Sequence, residues 1–300
     1  MSSEITPAKE ISKDKSAPIS RLLMSAPDYF AVTYEINQWM EPQKWSDNSS
    51  QFKQIASQQW QYLYQTFQSL GIAVNLIKQE SGVPDMVFTA NAAIILDGRT
   101  LLARFHYKER QPEEKYFAQY FHKAKKQGLV KTVQELPTGL FQEGAGDCIW
   151  DNYRQLFWSG YGPRSSKEAS VYIQEYYGRE VVALELLSSR FYHLDLSLSP
   201  LKYGDIIYYP DAFSEQSQKL IKERVYADKL IALDKEDAFN FVCNLVNIDD
   251  KIVLWQCSDK LKNILQERGY SIIAVPVDKF GLAGGSVCCL TLRLDLQSKG

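Results

Sequence analysis

Three hundred residues with 34 Lys+Arg against 36 Asp+Glu carry a net charge of −2, which excludes a broad electrostatic grip on nucleic acid or acidic lipid. Hydrophobic residues make up 45% and charged residues 23%, a globular balance that excludes wholesale disorder. No run reaches the ~18 uncharged apolar residues of a membrane span, so neither membrane nor nucleic acid is an expected partner.

Residues 1–20 mix Glu4, Lys9, Glu10, Lys13, Asp14 and Lys15 with Ser and Pro and hold no apolar signal-peptide core. They read as a solvated, disordered tail. Past Ser20 no Pro/Gly/Ser-rich linker divides the chain, so residues 21–300 read as one domain. The five cysteines, Cys148, Cys243, Cys257, Cys288 and Cys289, contain no CxxC pair. Neither a disulfide framework nor a zinc site is expected, and a reducing cytoplasm is the expected compartment.

Helical periodicity recurs five times, each time followed by a strand-like run. Residues 51–70 carry Phe52, Ile55, Ala56, Leu63, Phe67 and Leu70 at helical spacing, and the strand 72–77 follows. A second helix starts at Pro112 and stops at Gly128, before the run 129–136. Helices 167–177, 215–225 and 259–268 precede strands 181–186, 230–233 and 272–277. Hairpins are expected between them: 92–96 with 100–104 around Asp97-Gly98, 148–150 with 155–158, and 196–201 with 206–209. The spacing is too irregular for a solenoid, and a simple alternating parallel sheet would lack the hairpins. Five mixed modules predict closure into a ring with the helices outside.

Polar segments interrupt the apolar runs near the module edges. Cys288 and Cys289 follow Gly284-Gly285 and are expected at the start of a strand, where neighbours face opposite sides. A Cys there packs as an apolar side chain or serves as a nucleophile. His193 and Asp195 sit two residues apart, so an extended backbone would place both on one face, the carboxylate beside the imidazole. Glu143 and Asp147 bracket Gly144-Ala145-Gly146, which reads either as a tight turn with solvated acids or as two carboxylates aimed at a cation. Arg104 and Arg164 are candidates for bidentate grip on a carboxylate. There is no GxxxxGK[ST] phosphate loop and no GxSxG elbow. His106 and His122 read as surface residues.

Taken together, Asp85–Asn91, Glu143–Asp147, Arg164, His193-Leu194-Asp195 and the C-terminal Gly-Gly-Ser-x-x-Cys resemble the guanidine-modifying pentein enzymes, which include arginine deiminase, dimethylarginine dimethylaminohydrolase and the amidinotransferases. The arginine dihydrolase branch is the nearest in motif, through Ile36–Met40, Asp85–Asn91, Phe191–Asp195 and Ala238–Asn244. Gln38 departs from the expected Pro of Asn-Pro-Trp-Met, and Cys288 is an unusual neighbour for the nucleophile. The resemblance implies an α/β fold, a five-bladed pseudo-symmetric propeller of ββαβ modules. It implies Cys289 as nucleophile, His193 as general acid/base with Asp195 beside it, and Glu143 as the carboxylate that grips the guanidinium. It further implies that Asn37, Asp85, Asn91, Arg104, Arg164 and Asp195 bind substrate, the two Arg through its α-carboxylate. The implied chemistry needs no metal and no organic cofactor, and the implied partner is a small guanidino compound, with a homo-oligomer possible. The implied activity is hydrolysis of arginine to ornithine, ammonia and carbon dioxide. The alternatives are a deiminase or dimethylargininase releasing citrulline, an amidinotransferase, and a non-catalytic binding protein of the same fold.

Overall fold

The computed structural model describes residues 20–299. The expected disordered tail therefore lies, but for Ser20, outside the described residues. The described strands form five three-stranded sheets of one pattern. In each, one strand pairs antiparallel with a second, and the second pairs parallel with a third after a helical crossover. Ala93–Leu96, Arg99–Leu102 and Thr132–Gln134 form one sheet, with helix Glu114–Lys126 in the crossover. Cys148–Asp151, Leu156–Tyr161 and Val181–Glu185 form the next, across helix Ala169–Tyr177. Leu198–Pro200, Ile206–Tyr208 and Leu230–Ala232 follow, across Glu215–Arg224. Val246–Ile248, Lys251–Leu254 and Ser271–Ala274 follow these, across Asp259–Glu267. The last sheet joins the two ends of the described chain. Leu292–Arg293 runs antiparallel to Arg21–Ser25, which pairs parallel with Ala73–Ile77 across helix Ser49–Ser69.

Local chemistry accounts for these elements. In helix Ser49–Ser69, Ala56, Trp60, Leu63 and Phe67 are buried on one face; burying Leu63 and Phe67 fully contributes about 1.5–3 kcal/mol each. Ser214 and Ser258 cap their helices by accepting the backbone N–H of Ser217 and Leu261. Asp97 and Gly98 both have positive φ, 57° and 74°, as a two-residue hairpin turn with right-handed twist requires. No described helix is long and apolar enough to cross a membrane.

Several boundaries differ from expectation. The helix expected from Pro112 is a 3-10 turn over Gln111–Glu113 before the α-helix begins at Glu114. The run 129–136 yields only Thr132–Gln134 as strand. Residues Leu194–Leu196 wind into a 3-10 turn, which shortens the expected strand to Leu198–Pro200. Cys288 and Cys289 lie in a turn, not a strand: Leu290 N–H donates to Ser286 O and Thr291 N–H to Cys288 O. Strand alternation therefore does not separate the two thiols; the turn does, leaving Cys289 buried and Cys288 half-buried.

Candidate active site

Cys289 is held by Asn244. The Asn244 Oδ1 accepts the backbone N–H of Cys289 at 3.1 Å and that of Ser286 at 3.2 Å, while Nδ2 lies 3.1 Å from the Cys289 sulfur. One amide thus fixes the turn and touches the thiol. Asp195 completes the cluster, its Oδ2 3.4 Å from Sγ. Cys289 and Asp195 are 2% and 1% exposed. Burial first, then the nearby Asp195, pushes the Cys289 thiol well above its ordinary value, so the thiol is protonated at rest. Burial pushes Asp195 up to about 7, against the pull of its bonds to Cys289 and Asn244.

The expected pairing of Asp195 with the imidazole does not occur. His193 is extended, but Asp195 belongs to the 3-10 turn that follows it, and the turn carries its carboxylate to Cys289. His193 Nε2 instead meets Glu143 Oε2 at 2.8 Å, with Asp147 Oδ2 at 4.0 Å. Neither acid is solvated: Glu143 is 0% and Asp147 1% exposed. Burial raises the Glu143 pKa, but the Arg164 guanidinium at 3.0 Å and His193 outweigh it and hold the carboxyl well below the usual range. Burial lifts Asp147 to about 6, with His193 and Ser165 pulling the other way. Ser165 Oγ donates to Asp147 Oδ2 at 2.6 Å and accepts Glu143 N–H at 3.2 Å.

The glycines between these acids have a steric cause. Gly144 sits at φ +65°, and a Cβ there would meet Ala90 O at 2.6 Å. A Cβ on Gly146 would collide with Asn91 Nδ2 and lie 3.2 Å from His193 Nδ1. Bare backbone therefore lets Asn91 and His193 approach the same point.

Asn91 donates from Nδ2 to the Glu143 carbonyl at 3.0 Å, and its Oδ1 accepts from Arg110 at 2.9 Å. Its neighbour Ala90 donates to the Cys289 carbonyl at 3.1 Å, which ties this segment to the nucleophile turn. Asp85 is 2% exposed, and its Oδ1 has no hydrogen-bond partner among the described residues. The Tyr34 hydroxyl, buried and likewise without a well-aligned hydrogen bond, faces this carboxylate. Burial pushes Asp85 up despite Arg110. Asn37 donates to the Ala283 carbonyl at 3.1 Å, one residue from Gly284, whose carbonyl accepts the Tyr192 hydroxyl at 2.9 Å.

Arg164 is 3% exposed, donates to Glu143 Oε2 and to the Ile36 carbonyl at 3.1 Å, and lies between the rings of Tyr107 and Tyr192 at 4.7 and 4.4 Å. Arg104 is not brought to this cluster. It is half-buried, and its guanidinium donates to the Pro137 carbonyl. Sequence reasoning missed Arg110, which is 3% exposed, doubly bonded to Glu113, and on Asn91. It also missed Asn244 as a site residue, Ser165 and Tyr192. The Asn244 signal was present inside the motif Ala238–Asn244; Arg110 sits in a charge-rich stretch that reads as surface.

The family described as N,N dimethylarginine dimethylhydrolase, eukaryotic, matches residues 26–296. The bifunctional arginine dihydrolase/ornithine cyclodeaminase ArgZ of Synechocystis sp. is 43% identical over 91% of this chain. That match covers 37% of ArgZ, so the chain spans under two fifths of this relative. The dimethylarginine dimethylaminohydrolase of Mycobacterium tuberculosis is 35% identical over 91% of this chain and 85% of its own length. Among solved structures, an N-terminal domain of ArgZ covalently bonded to a reaction intermediate superposes with a TM-score of 0.87 at 41% identity, over 93% of this chain and 98% of that one. The chain belongs to the dimethylarginine dimethylhydrolase family, within the guanidine-modifying pentein group.

Proposed function

We propose that the protein is a cysteine-dependent hydrolase of the arginine guanidinium, and that it takes arginine and two waters to ornithine, two ammonia and carbon dioxide. The carrying observation is the buried thiol of Cys289, gripped by Asn244 and Asp195, in a chain whose relative ArgZ is an arginine dihydrolase over the matched part. Residues 21–300 form one catalytic domain whose five sheets are the blades of an α/β propeller. Supporting this ring, strands from all five sheets line one cavity.

The geometry supports the following chemistry. The substrate guanidinium takes over the Glu143 oxygen that Arg164 now occupies, and Arg164 turns to the substrate α-carboxylate. The unsatisfied Asp85 Oδ1 suits the α-ammonium, since a buried acceptor left unpaired costs about 1–3 kcal/mol. The arriving cation lowers the thiol pKa that burial and Asp195 hold up. The Cys289 thiolate adds to the guanidinium carbon, His193 protonates an amino group of the tetrahedral adduct, that group leaves as ammonia, and a thiouronium remains. Water activated by His193 hydrolyses it, which restores the thiol and leaves citrulline. The same thiol then attacks the ureido carbon, expels the second ammonia and is released by a second water; the carbamate of ornithine loses carbon dioxide. Thiolate and imidazole supply the bond-making steps, with no organic cofactor, in a cytoplasmic enzyme.

A second reading, release of citrulline from arginine or dimethylarginine, is favoured by the family match over residues 26–296 and by the mycobacterial relative. Incubation with arginine and quantification of ornithine, citrulline and ammonia separates the two. Ornithine with two equivalents of ammonia is expected; citrulline alone would move the protein to the second reading. Cys289→Ser is expected to abolish turnover and Cys288→Ser to retain most of it, and full activity of Cys289→Ser would remove the thiol from the chemistry.

A further inference from the structure

Behind the nucleophile lies a central cavity of about 420 Å³. Its wall takes residues from Ala93–Leu96, Cys148–Asp151, Leu198–Pro200, Val246–Ile248 and Leu292–Arg293, the inner strand of each sheet. One part of the wall is polar and exposed, where Lys202 pairs with Asp249 at 2.5 Å. Another part carries Asp195 and Cys288. Asp195 thus joins two compartments: Oδ2 contacts the Cys289 sulfur, and Oδ1, in a side chain that is 1% exposed, has no hydrogen-bond partner among the described residues.

We propose that this cavity is a second route to the thiol, through which ammonia leaves and water enters while the amino-acid part of the substrate fills the front. The proposal rests on the dihydrolase reading, because there ammonia must leave and water must enter twice within one binding event. The first attack releases ammonia while the thiouronium stays on Cys289, citrulline must then stay bound after the first water, and the second thiol adduct needs a second water before ornithine has gone. Front-side exchange would release citrulline. Walls of Ile149, Leu198 and Val246 pass neutral ammonia and water but oppose an ammonium ion, whose transfer into an apolar surround is far costlier. The free Asp195 Oδ1 is the acceptor that meets either molecule at the inner end.

Two measurements test the route. In Cys289→Ser, saturating arginine occupies the front without turnover, and methylmercury modification of the peptide carrying Cys288 is followed by mass spectrometry. Cys288 is expected to react at the same rate with and without arginine, and at least tenfold more slowly when Ile149→Trp, or Ser199→Phe should the first variant not fold, fills the cavity. In otherwise native enzyme the same plug is expected to raise the citrulline released per ornithine at least fivefold, and Ile149→Ala to leave that ratio unchanged. Protection of Cys288 by arginine, or a plug that alters neither the labelling nor the product ratio, overturns the proposal. Failure of the dihydrolase reading shows separately, as wild-type enzyme that makes no ornithine.

Discussion

Asn244 grips Cys289 at both ends of the residue, its Oδ1 on the backbone N–H and its Nδ2 on the sulfur, each at 3.1 Å. An amide donor aimed at a thiol favours the thiolate, because hydrogen bonds to the charged form lower a pKa. Asn244→Ala is expected to slow turnover by about 10²-fold and to raise the pH at which Cys289 is alkylated by iodoacetamide. Asn244→Asp, which keeps the backbone anchor but swaps a donor for a charge, is expected to raise that pH further. An alkylation profile unmoved by either change would leave Asn244 with a purely structural role.

Arg110 and Arg104 separate by burial. Arg110 is 3% exposed and satisfies Glu113, itself 0% exposed, through two bonds at 2.8 and 2.9 Å. Removing one partner of a buried pair leaves the other charge stranded and costs about 3–5 kcal/mol. Arg110→Ala is therefore expected to lower stability by about that amount in urea denaturation and to raise KM for arginine. Arg104→Ala removes a bond to the Pro137 carbonyl at the surface, and its kcat/KM is expected to stay within about threefold of wild type. Equal losses of kcat/KM in both variants would restore Arg104 to the substrate.

Asp195 sets a pH dependence. Its carboxyl is raised from 3.8 to about 7, chiefly by burial, so the folded state holds a proton that the unfolded chain releases. The stability this contributes is complete below the unfolded value and disappears as pH rises through about 7. Asp195→Asn keeps the shape and removes the charge. It is expected to flatten the loss of thermal stability across that window and to shift Cys289 alkylation to lower pH, since the neighbouring charge that opposes the thiolate is gone. A steeper stability profile in the variant would contradict the sign of this coupling.

What the sequence shows and what it hides follows from the range of the interactions. The five helices and the Asp97-Gly98 hairpin are local: periodicity, caps and turn residues state them within twenty residues. The sheet that joins Leu22 and Leu23 to Arg293 and Leu292 is not local, because two short strands at opposite ends of the chain carry no mark of each other. The site divides in the same way. Cys289, His193 and Glu143 stand in motifs, whereas the pairing of His193 with Glu143 rather than Asp195 is decided by one 3-10 turn after an extended residue. A period of two predicts shared faces only while the backbone remains extended. Arg104 ends an apolar run and Arg110 sits in a charge-rich stretch, so the sequence points to the wrong one, and only the tertiary packing that buries Glu113 singles out Arg110.

Asn91 decides between the two products. Its Nδ2 donates to the Glu143 carbonyl and its Oδ1 accepts from Arg110, so each end keeps one further hydrogen-bonding position for a ligand. A neutral amide with one donor and one acceptor to spare can hold a guanidinium through Oδ1 and a ureido oxygen through Nδ2. Citrulline then stays in place for a second attack by Cys289. A carboxylate at this position favours the cation alone and repels the ureido oxygen. It also faces the Glu143 carbonyl with an acceptor where a donor now sits, while its pairing with Arg110 is strengthened. Asn91→Asp is therefore expected to fold and to bind arginine, but to release citrulline, changing the ornithine-to-citrulline ratio by about tenfold or more, equivalent to ~1.4 kcal/mol between the competing steps. The ratio is read by separating the amino acids after a single charge of arginine, with added citrulline as a second substrate in parallel. An Asn91→Asp enzyme that still converts citrulline to ornithine at the wild-type rate would take product choice away from this residue.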